Sequence, residues 1–308
     1  MLKISIVTPC FNEEENVLEL YERIKKVMGN YQYDYEHIFI DNASTDRTVE
    51  LIRTLTQQDK HVKAILNTRN FGHIRSPYYG ILQGTGDAVI MLASDLQDPP
   101  ERIPDFIQKW EEGYKVVIGV KTKSHESGVF YLLRTLYYRI LHRLSDVDLI
   151  EHFTGFGMYD QQVVQILRDL NDPYPYFRGL IADIGFSIAR IEFTQPRRKR
   201  GVTKNNFYTL YDMAMLGMTG YTKIPLRVAA MFGFFTALMS FLVGLVYLVY
   251  KLLFWQQFSL GSAPIVIGLF FLGSVQLFFL GIVGEYIGAI YTQVMKRPLV
   301  IEKERINF

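Results

Sequence analysis

Cysteine is almost missing: Cys10 is the only one in 308 residues. No intrachain disulfide can form, and a reduced compartment suits the chain. Tryptophan is scarce too, with Trp110 and Trp255 alone. Neither sign of charge dominates. Lys and Arg number 33 against 31 Asp and Glu, a net charge of +2, too small a surplus to argue for nucleic acid as a partner. There is no G-x-G-x-x-G loop and no P-loop, which counts against a dinucleotide dehydrogenase and a P-loop ATPase. The opening stretch MLKISIVTPCFNEEEN does not read as a signal peptide, because its apolar run is short and Pro9 and three glutamates follow.

What is present is unevenly spread. Charges crowd into the first two thirds, and the last third holds two long apolar runs. The first, Leu226 to Trp255, has no charge between Val228 and Tyr250; the second, Pro264 to Val294, has only Glu285. About 20 apolar residues cross a bilayer as a helix, so two membrane helices are expected over 226–294. The connection QQFSLGSA is uncharged, whereas Arg197, Arg198, Lys199, Arg200, Lys204, Lys223 and Arg227 precede the first run and Lys296, Arg297, Lys303 and Arg305 follow the second. The positive-inside rule puts both ends and the preceding domain in the cytoplasm. Lys251 dissents, but a lone lysine near a helix end can snorkel. Glu285 is costly in lipid and is read as structural, with Gly281, Gly284 and Gly288 beside it permitting close helix contact.

Two more segments look interfacial. Residues 126–145 place Phe130, Leu133, Tyr137, Ile140, Leu141 and Leu144 at helical spacing beside Arg134 and Arg143, a helix for the headgroup layer or for packing on the core. Residues 201–225 combine a basic stretch with an apolar segment leading into the first span, and 295–308 form a tail.

Residues 1 to about 120 alternate short apolar runs (ISIVTP, YEHIFID, VKAILN, DAVIMLA, KVVIGV) with helix-like stretches, SPYYGILQG among them. Repeated β-α predicts an α/β domain over 1–200 with a largely parallel sheet and helices on both faces. Such sheets bind ligands at the carboxyl ends of their strands. Here those ends carry CFNEE, NASTD, TRNFGH and SDLQDPP.

In order and spacing, IVTPCFNEEENV, DNASTDRT, RNFGH and ASDLQDPP resemble the family 2 glycosyltransferases of GT-A fold. RKRGVTKNN, the apolar hairpin and VGEYIGAIYTQVMKRPL narrow the resemblance to bacterial polyisoprenyl-phosphate glycosyltransferases, relatives of dolichol-phosphate mannose synthase. It covers nearly the whole chain. It implies a nucleotide-sugar donor, UDP-glucose favoured and GDP-mannose the alternative, a polyprenyl phosphate acceptor, transfer with inversion, and a homo-oligomer. By the same resemblance Pro9, Phe11, Asn12 and Glu13 hold base and ribose, Asp41 accepts from the base imide, and Asn70 and Ser94 line the donor site. Asp41 and Asp46 have a second reading as helix-capping residues, with Ser44 or Thr45 also able to cap.

The family's Asp-x-Asp-Leu-Gln appears here with Ala93 first and Asp95 second. Asp95, with Gln97, is the expected ligand set for Mg²⁺ or Mn²⁺, which take oxygen ligands and share them with a diphosphate; Asp98 shapes the loop. Where some relatives carry an acid taken as the base, Gly155 precedes Phe156, and Glu151 is the nearest acid upstream. A phosphate monoester is already largely anionic at neutral pH, so Glu151 and His152 are candidates for orienting rather than deprotonating the acceptor. Arg198, Gly201, Thr203 and Lys204 match the family's basic loop and would fold over the diphosphate, or anchor on anionic lipid. Arg134 and Arg139 would meet the acceptor phosphate. A processive synthase is disfavoured, since neither tryptophan stands in a Gln-x-x-Arg-Trp motif. A non-catalytic nucleotide-sugar sensor stays as the alternative, supported by Ala93 and Gly155.

Overall fold

The computed structural model describes residues 2–121, 153–196, 207–254 and 262–308. Eight strands form one sheet: β1 (Lys3–Cys10), β2 (Asp34–Asp41), β3 (Val62–Asn67), β4 (Ala88–Met91), β5 (Val116–Lys121), β6 (Phe153–Asp160), β7 (Ile188–Phe193) and β8 (Glu302–Ile306). Their order is β7-β5-β6-β4-β1-β2-β3-β8. The β4-β1-β2-β3 core is parallel, as is β5 with β7; β6 runs against both β4 and β5, and β8 against β3. The chain steps from β1 to β2 on one side and returns to β4 on the other. The crevice at that reversal lies over the ends of β1, β2 and β4.

Helices α1 (Val17–Met28), α2 (Thr48–Gln58) and α4 (Ile103–Glu111) follow β1, β2 and β4, and α3 (Gly72–Gln83) follows β3. On α1, Val17, Leu20, Tyr21, Ile24 and Met28 are buried, the i, i+3, i+4 stripe of a helix with one face on a sheet. Ile4 and Ile6 pack toward α1 and α4, while Val7, Ile38, Ile40 and Ile65 pack toward α3, α5 (Gln161–Leu170) and α6 (Phe177–Asp183). Strands β1 to β4 are apolar on both faces because both faces are covered. Close approach of α3 depends on Gly80, where a Cβ would lie 2.7 Å from Val7 Cγ1.

A juxtamembrane helix α7 (Phe207–Tyr221) precedes α8 (Ile224–Leu253) and α9 (Ser262–Met295). Ile224–Val246 and Gly268–Met295 are long and apolar enough to cross a membrane. Their outward faces are lined with exposed Phe, Leu, Val and Ile. The base of this hairpin is fastened to what surrounds it. Tyr286 donates to the Thr222 carbonyl at 2.7 Å, Tyr211 to Glu285 at 2.8 Å, and Gln293 to Asp172 at 2.9 Å. Glu285 thus has its protein partner, Tyr211. The glycines beside it do not bring α8 and α9 together: a Cβ on Gly281, Gly284 or Gly288 would meet nothing within 4 Å.

Two other details differ from the sequence reading. Helix α3 begins at Gly72 rather than near Pro77, so the proline lies inside it. The 295–308 segment does not trail away; it returns to the sheet as β8. The 126–145 segment lies outside the described residues.

Candidate active site

The crevice is built from four loops, and three of them turn through a left-handed residue that is not glycine. Asn12, Ala43 and Leu96 have φ of 57°, 62° and 58° after β1, β2 and β4, and Gly72 has 88° after β3. Asn tolerates this region; Ala and Leu do so at a cost of about 1–2 kcal/mol each. Such conformations persist where surrounding bonds over-determine them, and they cluster at functional sites.

Those bonds are dense on the β1–β2 side. The Asn12 amide donates to Ser44 Oγ at 2.9 Å, and Asn12 Oδ1 accepts from the Thr45 amide at 2.8 Å. The Glu13 amide donates to Thr48 Oγ1 at 2.8 Å. Asp41, at the end of β2, is buried and accepts from the Ser44 amide at 2.9 Å and from the Ser44 hydroxyl. Burial raises its pKa and Asp46 adds to the rise, while the bonds from Ser44 and Ala43 oppose it. Of the capping candidates, Asp46 fits: its Oδ1 accepts the Thr48 amide at 3.0 Å where α2 opens, while Ser44 serves Asp41 instead.

Asn42 was not singled out from the sequence, yet it is the hub of this wall. Its Nδ2 donates to Asn70 Oδ1 at 2.9 Å and to the Gly72 carbonyl at 3.1 Å. Its Oδ1 accepts from the Phe71 amide at 2.8 Å and from Asn67 Nδ2 at 3.3 Å. Asn70 Oδ1 also accepts the Gly72 amide at 2.8 Å. A lone Asn directly after a buried strand, facing a second Asn-rich loop, was the available signal.

The β4 side is bonded more sparsely. Asp95 Oδ1 accepts the Gln97 amide at 3.1 Å. Asp98 is buried behind it and accepts only the Ala93 amide, at 3.3 Å. Burial and the neighbouring Asp95 carboxylate push Asp98 up to about 7, with Lys121 pulling weakly the other way. Ser94 is buried, and the Cys10 thiol donates to the Thr8 carbonyl at 3.6 Å; burial, Asp41 and Glu13 raise that thiol well above its usual range. Cys10 is therefore an inert packing group. Among the described residues no three His, Cys, Asp or Glu converge as a complete metal cage. Asp98 lies buried beside a second acid, a setting that favours added positive charge, and Asp95 with Gln97 offers the oxygen donors a hard cation takes. The residues present fit a divalent ion whose remaining ligands come from elsewhere.

Gly155 has φ of 102°, a conformation that L side chains rarely adopt. Its carbonyl accepts the buried Tyr159 hydroxyl at 2.7 Å. The backbone, then, accounts for glycine where some relatives carry an acid. Pro9, Phe11, Asn12, Glu13, Asp41, Asn70, Ser94, Asp95 and Gln97 all stand at the carboxyl edge of the sheet. Glu151, Arg198, Lys204, Arg134 and Arg139 lie outside the described residues.

Beside the crevice is a cavity of about 120 Å³ between α3, the start of α6 and α7. Tyr78, Met91, Tyr176, Phe177 and Met213 make it apolar, and His73 and Arg178 add nitrogen donors. Two of its lining residues adjoin crevice loops in the chain: His73 follows the loop holding Asn70, and Met91 ends β4.

Residues 5–168 match the family model Glycosyl transferase family 2, and residues 224–290 match the GtrB C-terminal hairpin. The chain belongs to glycosyl transferase family 2: it is a transferase enzyme of GT-A fold followed by that hairpin. It is 36% identical to the uncharacterized glycosyltransferase YkcC of Bacillus subtilis, over 97% of this chain and 93% of the relative. It is 32% identical to the SfII prophage-derived bactoprenol glucosyl transferase of Shigella flexneri, over 98% of each. Among solved structures, glucosyl-3-phosphoglycerate synthase of Mycobacterium tuberculosis superposes with a TM-score of 0.47 at 18% identity, over 71% of this chain and 78% of that one.

Proposed function

We propose that the protein transfers a sugar, with UDP-glucose as the favoured donor, to a polyprenyl phosphate at the cytoplasmic face of a bacterial inner membrane. The observation that carries this is an apolar cavity whose lining includes residues next to the crevice loops and a residue of the helix leading into the hairpin. A polar crevice at the sheet's carboxyl edge opens beside an apolar cavity, and that cavity is walled by the helix leading into the membrane hairpin. The names of the bactoprenol glucosyl transferases, similar along their whole length, support both the lipid acceptor and glucose.

Pro9, Phe11, Asn12, Glu13 and Asp41 bind the nucleotide, with Asn70 and Ser94 lining the same side. Asp41 keeps an acceptor for a base N–H because each carboxylate oxygen has two lone pairs and Ser44 uses one on each. Asp95 and Gln97 would hold a divalent cation, Mg²⁺ or Mn²⁺, which when bound offsets the charge of the donor diphosphate. His73 and Arg178 face the acceptor phosphate, and the Tyr176–Phe177 cavity takes the first part of its isoprenoid chain. An acceptor oxygen attacks the anomeric carbon as the bond to the diphosphate breaks, inverting the centre. The acceptor is already anionic near neutral pH, so positioning and leaving-group stabilisation carry the rate. Arg198 and Lys204 cover the diphosphate, Arg134 and Arg139 approach the acceptor, and Glu151 orients it.

The test is an assay of purified protein with a panel of nucleotide sugars, undecaprenyl phosphate and Mg²⁺ or Mn²⁺. UDP release with formation of lipid-linked glucose supports the reading. Release without lipid product, or turnover undiminished by chelator, overturns it. Topology has its own check. A cysteine at Ser259 should label with an impermeant reagent on intact cells and one at Ser124 should not; the reverse pattern would place the domain outside.

A further inference from the structure

Where α9 ends, three arginines gather without an acid among them. Arg75, in the first turn of α3, donates through Nη2 to the Pro298 carbonyl, while its Nε is buried and has no acceptor. Arg69 and Arg75 lie 4.1 and 5.5 Å from the centre of the same ring, Phe71. Among the described residues the Arg69 side chain donates one hydrogen bond, to the Asn70 carbonyl at 3.0 Å. Burial and the charges of Arg69 and Arg297 press the Arg75 pKa below its ordinary value, with Tyr174 opposing. The three guanidiniums are thus near enough to repel one another. Among the described residues none of them is within ion-pair distance of a carboxylate. A partly buried arginine with an unpaired Nε and two cations near it gains when an anion joins it.

Its height relative to the hairpin says which anion. Tyr291, Val294 and Met295 carry exposed apolar surface to the last residue of α9, and Arg297 stands two residues on. The cluster therefore sits where apolar surface gives way to charge, the level of lipid headgroups. Guanidinium forks match phosphate oxygens. We propose that Arg69, Arg75 and Arg297 form a binding site for the phosphate of an anionic phospholipid headgroup. The site is separate from the acceptor cavity, which lies on the His73, Pro77 and Ile81 face of α3. A lipid held here would steady the loop that presents Asn70. That loop is already tied to the segment after α9 by the Thr68 amide and hydroxyl, which donate to the Ile301 carbonyl at 2.9 and 3.1 Å.

The proposal rests on the hairpin lying in a bilayer and not on the transfer reaction, so its test uses no nucleotide sugar. Full-length protein in neutral detergent is titrated with phosphatidylglycerol, with diacylglycerol of the same chains, or with glycerol phosphate. Retained lipid is read by native mass spectrometry, and the unfolding temperature is followed in parallel. Phosphatidylglycerol should be retained and should raise the unfolding temperature, and diacylglycerol should do neither. Arg69→Gln with Arg297→Gln, both at exposed positions, should weaken retention by about tenfold without lowering the lipid-free unfolding temperature. Arg75→Gln should weaken it likewise. Equal retention by wild type and the double variant, or an equal response to diacylglycerol, overturns the proposal. Glycerol phosphate binding as tightly as the lipid would overturn the headgroup as its source. Recovery of the protein from the soluble fraction without detergent would instead overturn the bilayer placement.

Discussion

Glu36 at the amino edge of the sheet and Asp98 at the carboxyl edge are both buried, and the two are treated in opposite ways. At the amino edge Glu36 receives Lys3 Nζ at 2.9 Å, Lys63 Nζ at 2.7 Å, Ser5 Oγ at 2.5 Å and the Thr85 amide at 2.8 Å. Burial alone would raise its pKa; these partners outweigh burial and take it down to about 2. At the carboxyl edge Asp98 has one amide and a second acid beside it, and goes up to about 7. A buried charge that the fold itself neutralises serves stability. One that Lys121 and a single amide offset only in part marks where a ligand can bring further positive charge.

The largest effect should come from removing charge at the open edge. Asp95→Asn should lower kcat by about 100-fold, roughly 3 kcal/mol of transition-state stabilisation, with the unfolding temperature unchanged. Steady-state kinetics beside a thermal melt tests this, and unchanged activity would break the contrast between the edges. Glu36→Gln should do the reverse, costing about 3 kcal/mol of stability by stranding two lysines while kcat holds in the protein that stays folded. The pH dependence has a definite sign. Glu36 is depressed from 4.5 to about 2 on folding, so its contribution is present above pH 4.5 and is lost as pH falls through 2. Melts across that window should show the slope in wild type and not in Glu36→Gln.

Asn42→Ala tests the uncharged wall of the crevice. It removes four hydrogen bonds and leaves the Phe71 amide unpaired, so about 2 kcal/mol of stability should go. The donor KM should rise more than kcat falls, because the Asn70 loop loses its support. The smallest effect is a gain: Ala93→Asp adds a third acid beside Asp95 and Asp98, and apparent metal affinity should rise a few-fold, read from activity against Mn²⁺ concentration. No change would mean that the turn at Leu96 holds position 93 away from the ion.

The elements that show in the sequence are those whose burial is one-sided or complete. β3 spans the VKAILN run because strand and apolar run share the same limits. α1 shows through its stripe. α3 misleads because Pro77 imitates a helix start, while the helix begins a turn and a half earlier at Gly72. β8 was illegible because EKERI alternates charges on a half-exposed edge. Its acids make specific contacts only after folding, Glu304 with Arg53 and Glu302 with Tyr79. In the site, acids and amides at strand ends were legible as residue types in a pattern. The left-handed turns at Ala43 and Leu96 were not, since neither residue favours them. Asn42 was passed over because its role depends on a loop thirty residues away.

That late strand has a consequence for biogenesis. β3 lies at the edge of the domain, its outer backbone groups unpaired until β8 arrives, and open edges invite wrong partners. β8 follows both apolar helices in the chain. At a synthesis rate of roughly 5–20 residues per second, the ribosome delivers it only after the hairpin has emerged. The nascent domain waits with an open seam while its anchor is being inserted, and the segment that seals it comes back from the membrane.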